Sequence, residues 1–442
     1  MNYPRVLIFG QPFNDFSGGG ITLSGLFGGW HKDSLAVVSY PFMLHNSSTD
    51  ICRNYYQIGE EELIWIFPFS RIKQKFPSGK LTMHNQGRIP VLKQTRSIRN
   101  IISSDILTPV TMWTGLIHCI SSIHLSPRLK NWILDFSPDL VYFQISNRES
   151  INFAIELIDF LKIPSVIHMM DDWPSTISSQ GPLAKYWQRK IDSEFRSLLD
   201  KTDIQLSISE GMSEEYYKRF DKSFRAFHNP IDPERFRIGV VRKNTNDKTF
   251  SVLYIGRIGV ANKNSLDSFA TFVSKYPSTE LRVNFDIFTK DFDSRYARRL
   301  KKMSNVQVRE AVSHNKVPHL LKSYDLLLLP LDFNKAGLKF SRLSMPTKAS
   351  EYMMSGTPML VLAPEVTAIS RFCMKNQCGH CVSSPDNVKL AEAITLLVED
   401  SEYRERLSAN AIKLAKKLFD VQTVHEEFRI LLAQLHEQES RN

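Results

Sequence analysis

"FSVLYIGRIGVANKNS", Phe250–Ser265, carries the pattern from which the architecture follows. A run of apolar and β-branched residues ends at Gly256, two cations follow at Arg257 and Lys263, and a helical stretch comes next. A buried strand that enters a glycine turn and then a helix is the opening unit of a doubly wound parallel sheet. Two cations at the strand end, close to a helix N-terminus, suit an anion with several oxygens, above all a diphosphate. The competing reading is a pair of solvated loop cations.

The same unit recurs on both sides of this stretch. Upstream, strands are expected at Arg5–Gly10, Leu35–Tyr40, Asp139–Ile145, Pro164–His168 and Asp203–Ser209, with amphipathic runs such as "ESINFAIELIDFLK" between them. Downstream, Leu281–Phe288, Tyr324–Pro330 and Thr357–Ala363 continue the pattern after Phe250–Gly256. The turn-rich passage "HNPIDPERFRIGVVRKNTNDKT" separates the two series. The expected organisation is a first domain over 1–232, a linker over 233–248, a second domain over 249–418 and a closing helix over 419–442 that packs back on the first domain. The fold class is therefore α/β, with two doubly wound, Rossmann-like parallel-sheet domains facing across a cleft. A chain of 442 residues agrees, being too long for one core and long enough for two of about 200 residues each.

Composition narrows the classes. A hydrophobic fraction of 42% and a charged fraction of 23% are those of a globular protein, and the longest aliphatic run, Leu326–Leu329, is far too short to span a bilayer. The N-terminus reads directly as a strand without a small-residue cleavage site, so a cytoplasmic protein is expected. Five cysteines at irregular spacing suit a reducing compartment. Cys378 and Cys381 form a C-G-H-C group, but a closed zinc site needs four ligands and no second cluster accompanies it. The net charge of +10 is uneven: Arg71, Lys73, Lys75, Lys80, Arg88, Lys93, Arg96 and Arg99 occur with no acidic residue among them. Ile102, Ile106, Trp113, Leu116, Ile117 and Ile120 then recur at helical spacing. One reading is a solvated basic loop before a core helix. The other is docking of residues 71–99 on an anionic membrane surface. Nucleic acid is disfavoured, because no aromatic platform interleaves the charges.

A second motif, "SMPTKASEYMMSGTP" (Ser344–Pro358), supplies complementary chemistry. Pro346 opens a helix whose free N–H groups and Lys348 suit an anion. Glu351, one turn on, is a natural acceptor for two sugar hydroxyls. Its bland alternative is a glutamate that merely favours the helix dipole. "DFD" at Asp291–Asp293 has the form of a metal-binding pair, but its charged context reads as a solvated turn away from these motifs.

Gly256-Arg257 with Lys263, the "PTKASEYMMSGTP" run, "SISEGMSEEYYKRF" followed by "HNPIDPERF", and the ending "RLSANAIKLAKKLFD" together resemble the retaining glycosyltransferases of family 4, which adopt the GT-B fold. The resemblance covers both halves in order and implies a nucleotide-sugar donor held mainly by the second domain. It assigns Arg257 and Lys263 to the donor diphosphate, Glu351 to the ribose, and Gly18, Gly19 and Gly20 of "FNDFSGGGITLSGLF" to a glycine-rich loop against phosphates or acceptor. It implies no metal cofactor, and the basic segment 71–99 points to a glycan or lipid-linked acceptor. The sequence departs from the family at Leu343, where many members carry a glutamate that contacts the transferred sugar. It resembles instead the subgroup with Ser-x-Pro-x-Lys, in which Ser344 and Lys348 take part of that work. In "VIHMMDDWPST", His168 and Asp171 are the expected cleft residues. A sugar-nucleotide epimerase and a binding protein that keeps the fold without turnover are the rival readings.

Overall fold

The computed structural model describes residues 3–71, 75–81, 108–177, 181–237, 239, 249–276 and 282–439. The chain divides into two compact units, Met1–Phe227 with His425–Asn442, and His228–Val424.

In unit 1 the strands are β1 Val6–Phe9, β2 Leu35–Ser39, β3 Asn54–Gln57, β4 Leu63–Trp65, β5 Gly79–Lys80, β6 Ser121–Ile123, β7 Leu140–Phe143, β8 Ser165–Met169, β9 Ile204–Ser207 and β10 Phe224–Ala226. Eight of them form one sheet in the order β10-β9-β8-β7-β1-β2-β3-β5, and β4 pairs separately with β6. Pairing is parallel up to β3, and only the edge strand β5 runs antiparallel. Helices cover both faces, so β1, β2, β7 and β8 are buried at every residue, and β1 and β7 read as unbroken apolar runs. Local chemistry fixes the helix ends. Asn147 caps the Arg148–Leu161 helix by accepting from Ser150 N at 2.9 Å, and Lys162 ends it in the left-handed conformation. In the closing helix, Phe428 meets the rings of Phe27, Trp30, Tyr142 and Phe227 edge-on.

Unit 2 contains β11 Thr249–Ile255, β12 Arg282–Thr289, β13 Val306–Glu310, β14 Leu326–Pro330, β15 Met359–Leu362 and β16 His380–Val382, in the order β13-β12-β11-β14-β15-β16. All its pairings are parallel. Leu266, Phe269 and Phe285 lead the core on one face, and Leu253, Tyr352 and Met353 that on the other. All nine expected strands are present within one or two residues of their expected ends. The strands not anticipated, such as β3, β10, β13 and β16, are short or lie toward sheet edges, where one face needs no apolar residue. After the last strand, Asp400 ends the Asn387–Glu399 helix and caps Ser401–Leu418 by accepting from Tyr403 N at 2.8 Å.

Candidate active site

Strand order in unit 2 reverses between β11 and β14, the place where open parallel sheets bind ligands beyond their carboxyl ends. β11 ends there at Ile255, whose N–H is taken by the Tyr352 hydroxyl at 3.1 Å, and the next residue is Gly256. Its φ of +147° lies where side chains are rarely tolerated. A Cβ on Gly256 would come within 2.5 Å of the Lys348 ammonium. The glycine thus gives the strand end room to approach Lys348.

The hydroxyl of Tyr254 organises this approach. It donates to Arg257 O at 2.5 Å, and it accepts from Asn262 Nδ2 at 2.8 Å and Lys348 Nζ at 3.1 Å. One hydrogen and two lone pairs are all used. Burial pushes this hydroxyl well above the ordinary phenol range, so it remains the neutral donor that the arrangement needs. Lys348 also sits over the Tyr254 ring, 4.3 Å from its centroid. The three contacts tie the loop after β11 to the Thr347–Ser355 helix. No side chain caps that helix, so the N–H groups of Thr347 and Lys348 carry no hydrogen bond among the described residues.

Glu351, one turn on, is largely buried. Burial raises its carboxyl above the usual range, and Arg235 and Lys348 act against that rise. His314 Nδ1 lies 3.8 Å from Glu351 Oε1. Arg235 in turn reaches His314 Nε2 and O at 2.9 Å each. Arg235 belongs to the "HNPIDPERF" passage, where its contact with His314 could not be read because 79 residues separate the two.

Two expectations about this loop are corrected. The N-terminus of the Lys263–Ser274 helix does not await an external anion: buried Asp332 accepts from Asn264 N at 3.1 Å and Ser265 N at 2.8 Å and so neutralises that helix end internally. Nor is Asp291 remote from the motifs, since it accepts from Ile258 N at 3.2 Å and braces the loop after Gly256. Arg257 and Lys263 are both exposed. Lys263 lies over the Tyr296 ring at 5.0 Å, and Arg257 has no carboxylate partner among the described residues. Among the described residues, Ser344 Oγ donates only to Ser341 O, at 3.4 Å. Leu343 is 2% exposed, so this position is part of the core.

Unit 1 holds the remaining expected residues. Gly18, Gly19 and Gly20 are the first turn of the Gly18–Leu26 helix and not an open loop. Ser17 Oγ caps it by accepting from Gly20 N at 3.1 Å, and Asn14 Oδ1 accepts from both Ser17 N and Ser17 Oγ. Any side chain at Gly20 would strike the Asn14 amide at 2.2 Å, so this glycine serves packing. His168 is 0% exposed and bonds Tyr142 Oη through Nδ1 at 2.5 Å, which makes it a core residue of β8. Asp171 is exposed, whereas its neighbour Asp172 is buried. Asp172 accepts from Tyr216 Oη and Arg219 Nη1, each at 3.0 Å, and from Ser175 Oγ at 2.5 Å. Of the basic segment 71–99, Lys73, Arg88, Lys93, Arg96 and Arg99 lie outside the described residues.

The site carries a pH signature. Desolvation lowers Lys348 to about 8 from its ordinary 10.5, with Glu351 opposing. Its charge, and with it the attraction for a phosphate anion, is therefore present below pH 8 and lost as pH rises through that value. Pyrophosphate affinity measured by calorimetry is expected to fall about tenfold across this window in the wild-type chain. In Lys348→Met it should stay flat. The folding contribution has the opposite sign: stability attributable to this lysine rises between about 8 and 10.5, where only the unfolded chain keeps the proton.

No curated protein matches the chain in sequence. Among solved structures, Anabaena HepE in complex with UDP and glucose is similar, with a TM-score of 0.60 at 12% identity, covering 98% of this chain and all of that one. Sucrose-phosphate synthase from Thermosynechococcus elongatus gives 0.62 at 12% identity, covering 99% of each chain. WaaG, a glycosyltransferase involved in lipopolysaccharide biosynthesis, gives 0.53 at 14%, covering 97% of this chain and 99% of its own. These likenesses show that the fold is GT-B. Residues 249–400, which contain every side chain of the unit 2 site except Arg235, match the family described as "Glycosyl transferases group 1".

Proposed function

We propose that the chain transfers a sugar from a nucleotide-sugar donor, with retention of configuration and without a metal, to a lipid-linked or polysaccharide-precursor acceptor. The observation that carries this reading is the placement of the Lys348 ammonium on Tyr254 and against Gly256, beside the Arg257 loop and one turn from Glu351. A diphosphate set there would meet Lys348, Arg257, Lys263 and the free N–H groups of Thr347 and Lys348, and Glu351 is available to accept from the two ribose hydroxyls. Positive charge fixed in advance around the leaving diphosphate stabilises charge that develops as the glycosidic bond breaks. Asp171 is the unit 1 group proposed to meet the acceptor. The acceptor class and a place at the inner face of a membrane rest on the basic composition of residues 71–99. No helix among the described residues is long and apolar enough to cross a membrane.

HepE is solved with UDP and with UDP-glucose, which makes uridine compounds the first probes to use. Lys263→Ala is expected to weaken UDP binding about tenfold and to leave uridine binding unchanged, because only the diphosphate meets the cation. Equal losses for both ligands in calorimetry would count against the assignment. The buried Leu343 favours one second reading, a protein that binds the donor without turning it over. Donor binding with no nucleoside diphosphate released, in the presence of any acceptor, would establish it.

A further inference from the structure

Among the described residues, eighteen large hydrophobic side chains are exposed, and nine of them fall in three short segments of unit 1: 64–67, 110–116 and 183–186. The segments are neighbours in space. β4 pairs with β6, and Ile66 N donates to Ile120 O at 2.9 Å, so the first segment lies beside residues 120–123, four residues beyond the end of the second. A Cβ at Gly115 would meet the Trp187 indole at 2.4 Å and Leu183 Cβ at 3.5 Å, and one at Gly181 would meet Trp113 O at 1.7 Å. The second and third segments are therefore in contact. Phe67 is 70% exposed, Trp113 61% and Met112 58%. A concentration of exposed apolar side chains of this kind marks an interaction surface.

The charge around it selects the partner. Lys185, Arg189 and Lys190 follow Leu183 on the Ala184–Lys201 helix, and none of the three has a carboxylate partner among the described residues. Arg71 lies over the Phe67 ring at 5.0 Å. Of the acidic groups nearby, Glu194 is ion-paired with Arg148 through two nitrogens, while Glu149 and Glu156, which border the cavity below, accept from Ser121 Oγ and Leu125 N. A cavity of about 640 Å³ opens in the same face, bordered by Leu116, Leu183, Tyr186 and Trp187 with Lys190 at its edge. Exposed aromatic and aliphatic side chains ringed by unpaired cations match a bilayer whose headgroups are anionic: rings enter the headgroup layer and cations meet phosphates.

We infer that unit 1 docks on an anionic lipid bilayer through this face, with Trp113, Met112 and Phe67 inserted and Lys185, Arg189 and Lys190 at the headgroups. The inference deepens the membrane-acceptor reading above and gives it a surface distinct from the composition of residues 71–99.

The test is flotation of the full chain with vesicles of phosphatidylcholine, with and without phosphatidylglycerol. Binding is expected only with phosphatidylglycerol and should weaken with added salt. Trp113→Glu is expected to lower the partition coefficient about tenfold or more, and the triple variant Lys185→Glu, Arg189→Glu, Lys190→Glu about a hundredfold. All four positions are at least partly exposed, so both variants should fold, and UDP calorimetry on each reports whether unit 2 is intact. The inference is overturned by vesicle binding that neither variant changes, or by no binding to phosphatidylglycerol vesicles. It is equally overturned by a dimer that Trp113→Glu dissociates while vesicles are ignored. Loss of UDP binding in the wild-type chain would sink the donor-site reading and leave this one standing.

Discussion

Lys348→Met should abolish most transfer while leaving the chain at least as stable as before. The two halves of that result have one cause. Lys348 is held in surroundings that disfavour its charge, which is why it titrates at about 8. Below that pH the folded state carries a poorly hydrated ammonium, and methionine keeps the apolar stem while removing the cost. The same ammonium is what a departing diphosphate would need. Removing one such donor from a preorganised electrostatic site lowers turnover by about 10²–10³-fold, or ~3–4 kcal/mol of barrier. Steady-state release of nucleoside diphosphate, paired with a melting curve, checks both halves. Turnover within a few-fold of wild type would show that the lysine serves packing against Tyr254, and a large drop in melting temperature would show the same.

Asp171 and Asp172 are adjacent, and their variants should behave in opposite ways. Asp172→Ala leaves the Tyr216 hydroxyl and the Arg219 guanidinium without their acceptor beneath the Glu210–Phe220 helix. Breaking a fully buried pair from one side costs about 3–5 kcal/mol. Arg219 is one quarter exposed, so about 2–4 kcal/mol is expected, a large share of what holds a domain folded. All six tryptophans, Trp30, Trp65, Trp113, Trp132, Trp173 and Trp187, lie in unit 1, so denaturation followed by tryptophan emission reads that unit separately. Asp171→Asn, at an exposed position, should stay within about 0.5 kcal/mol of wild type in the same experiment. Its expected effect is on acceptor turnover alone. If Asp171→Asn destabilises unit 1 as much as Asp172→Ala, the division of labour proposed for the pair is wrong.

The site itself was only half legible in the chain. Gly256, Arg257, Lys348 and Glu351 stand in recognisable motifs because each motif is local: a strand end, a glycine turn, a helix start. Tyr254, Arg235, His314, Asp291 and Asp332 were not legible as site residues. Tyr254 sits inside an apolar run, where alternation and burial explain it fully, and its hydroxyl acquires a role only when Lys348 arrives from 94 residues away. Asp332 looks like an ordinary loop acid until it caps a helix that begins 69 residues earlier. His168 failed in the other direction: a strand-end histidine reads as functional, but β8 is covered on both faces and closes over it.

The class of fold and the alternation of its elements follow from consecutive residues alone. Burial of a parallel sheet on both faces demands continuous apolar runs, and helices that cover it demand apolar residues three and four apart; both periodicities are written in consecutive residues. Which cations keep their charge available and which helix ends are already satisfied emerges from packing in three dimensions. Asp332 at the Lys263–Ser274 helix and Asp172 under Arg219 consume charge that composition counts as available. Electrostatic partners are chosen by distance in space, and contacts across 68 or 47 residues leave no periodic trace along the chain.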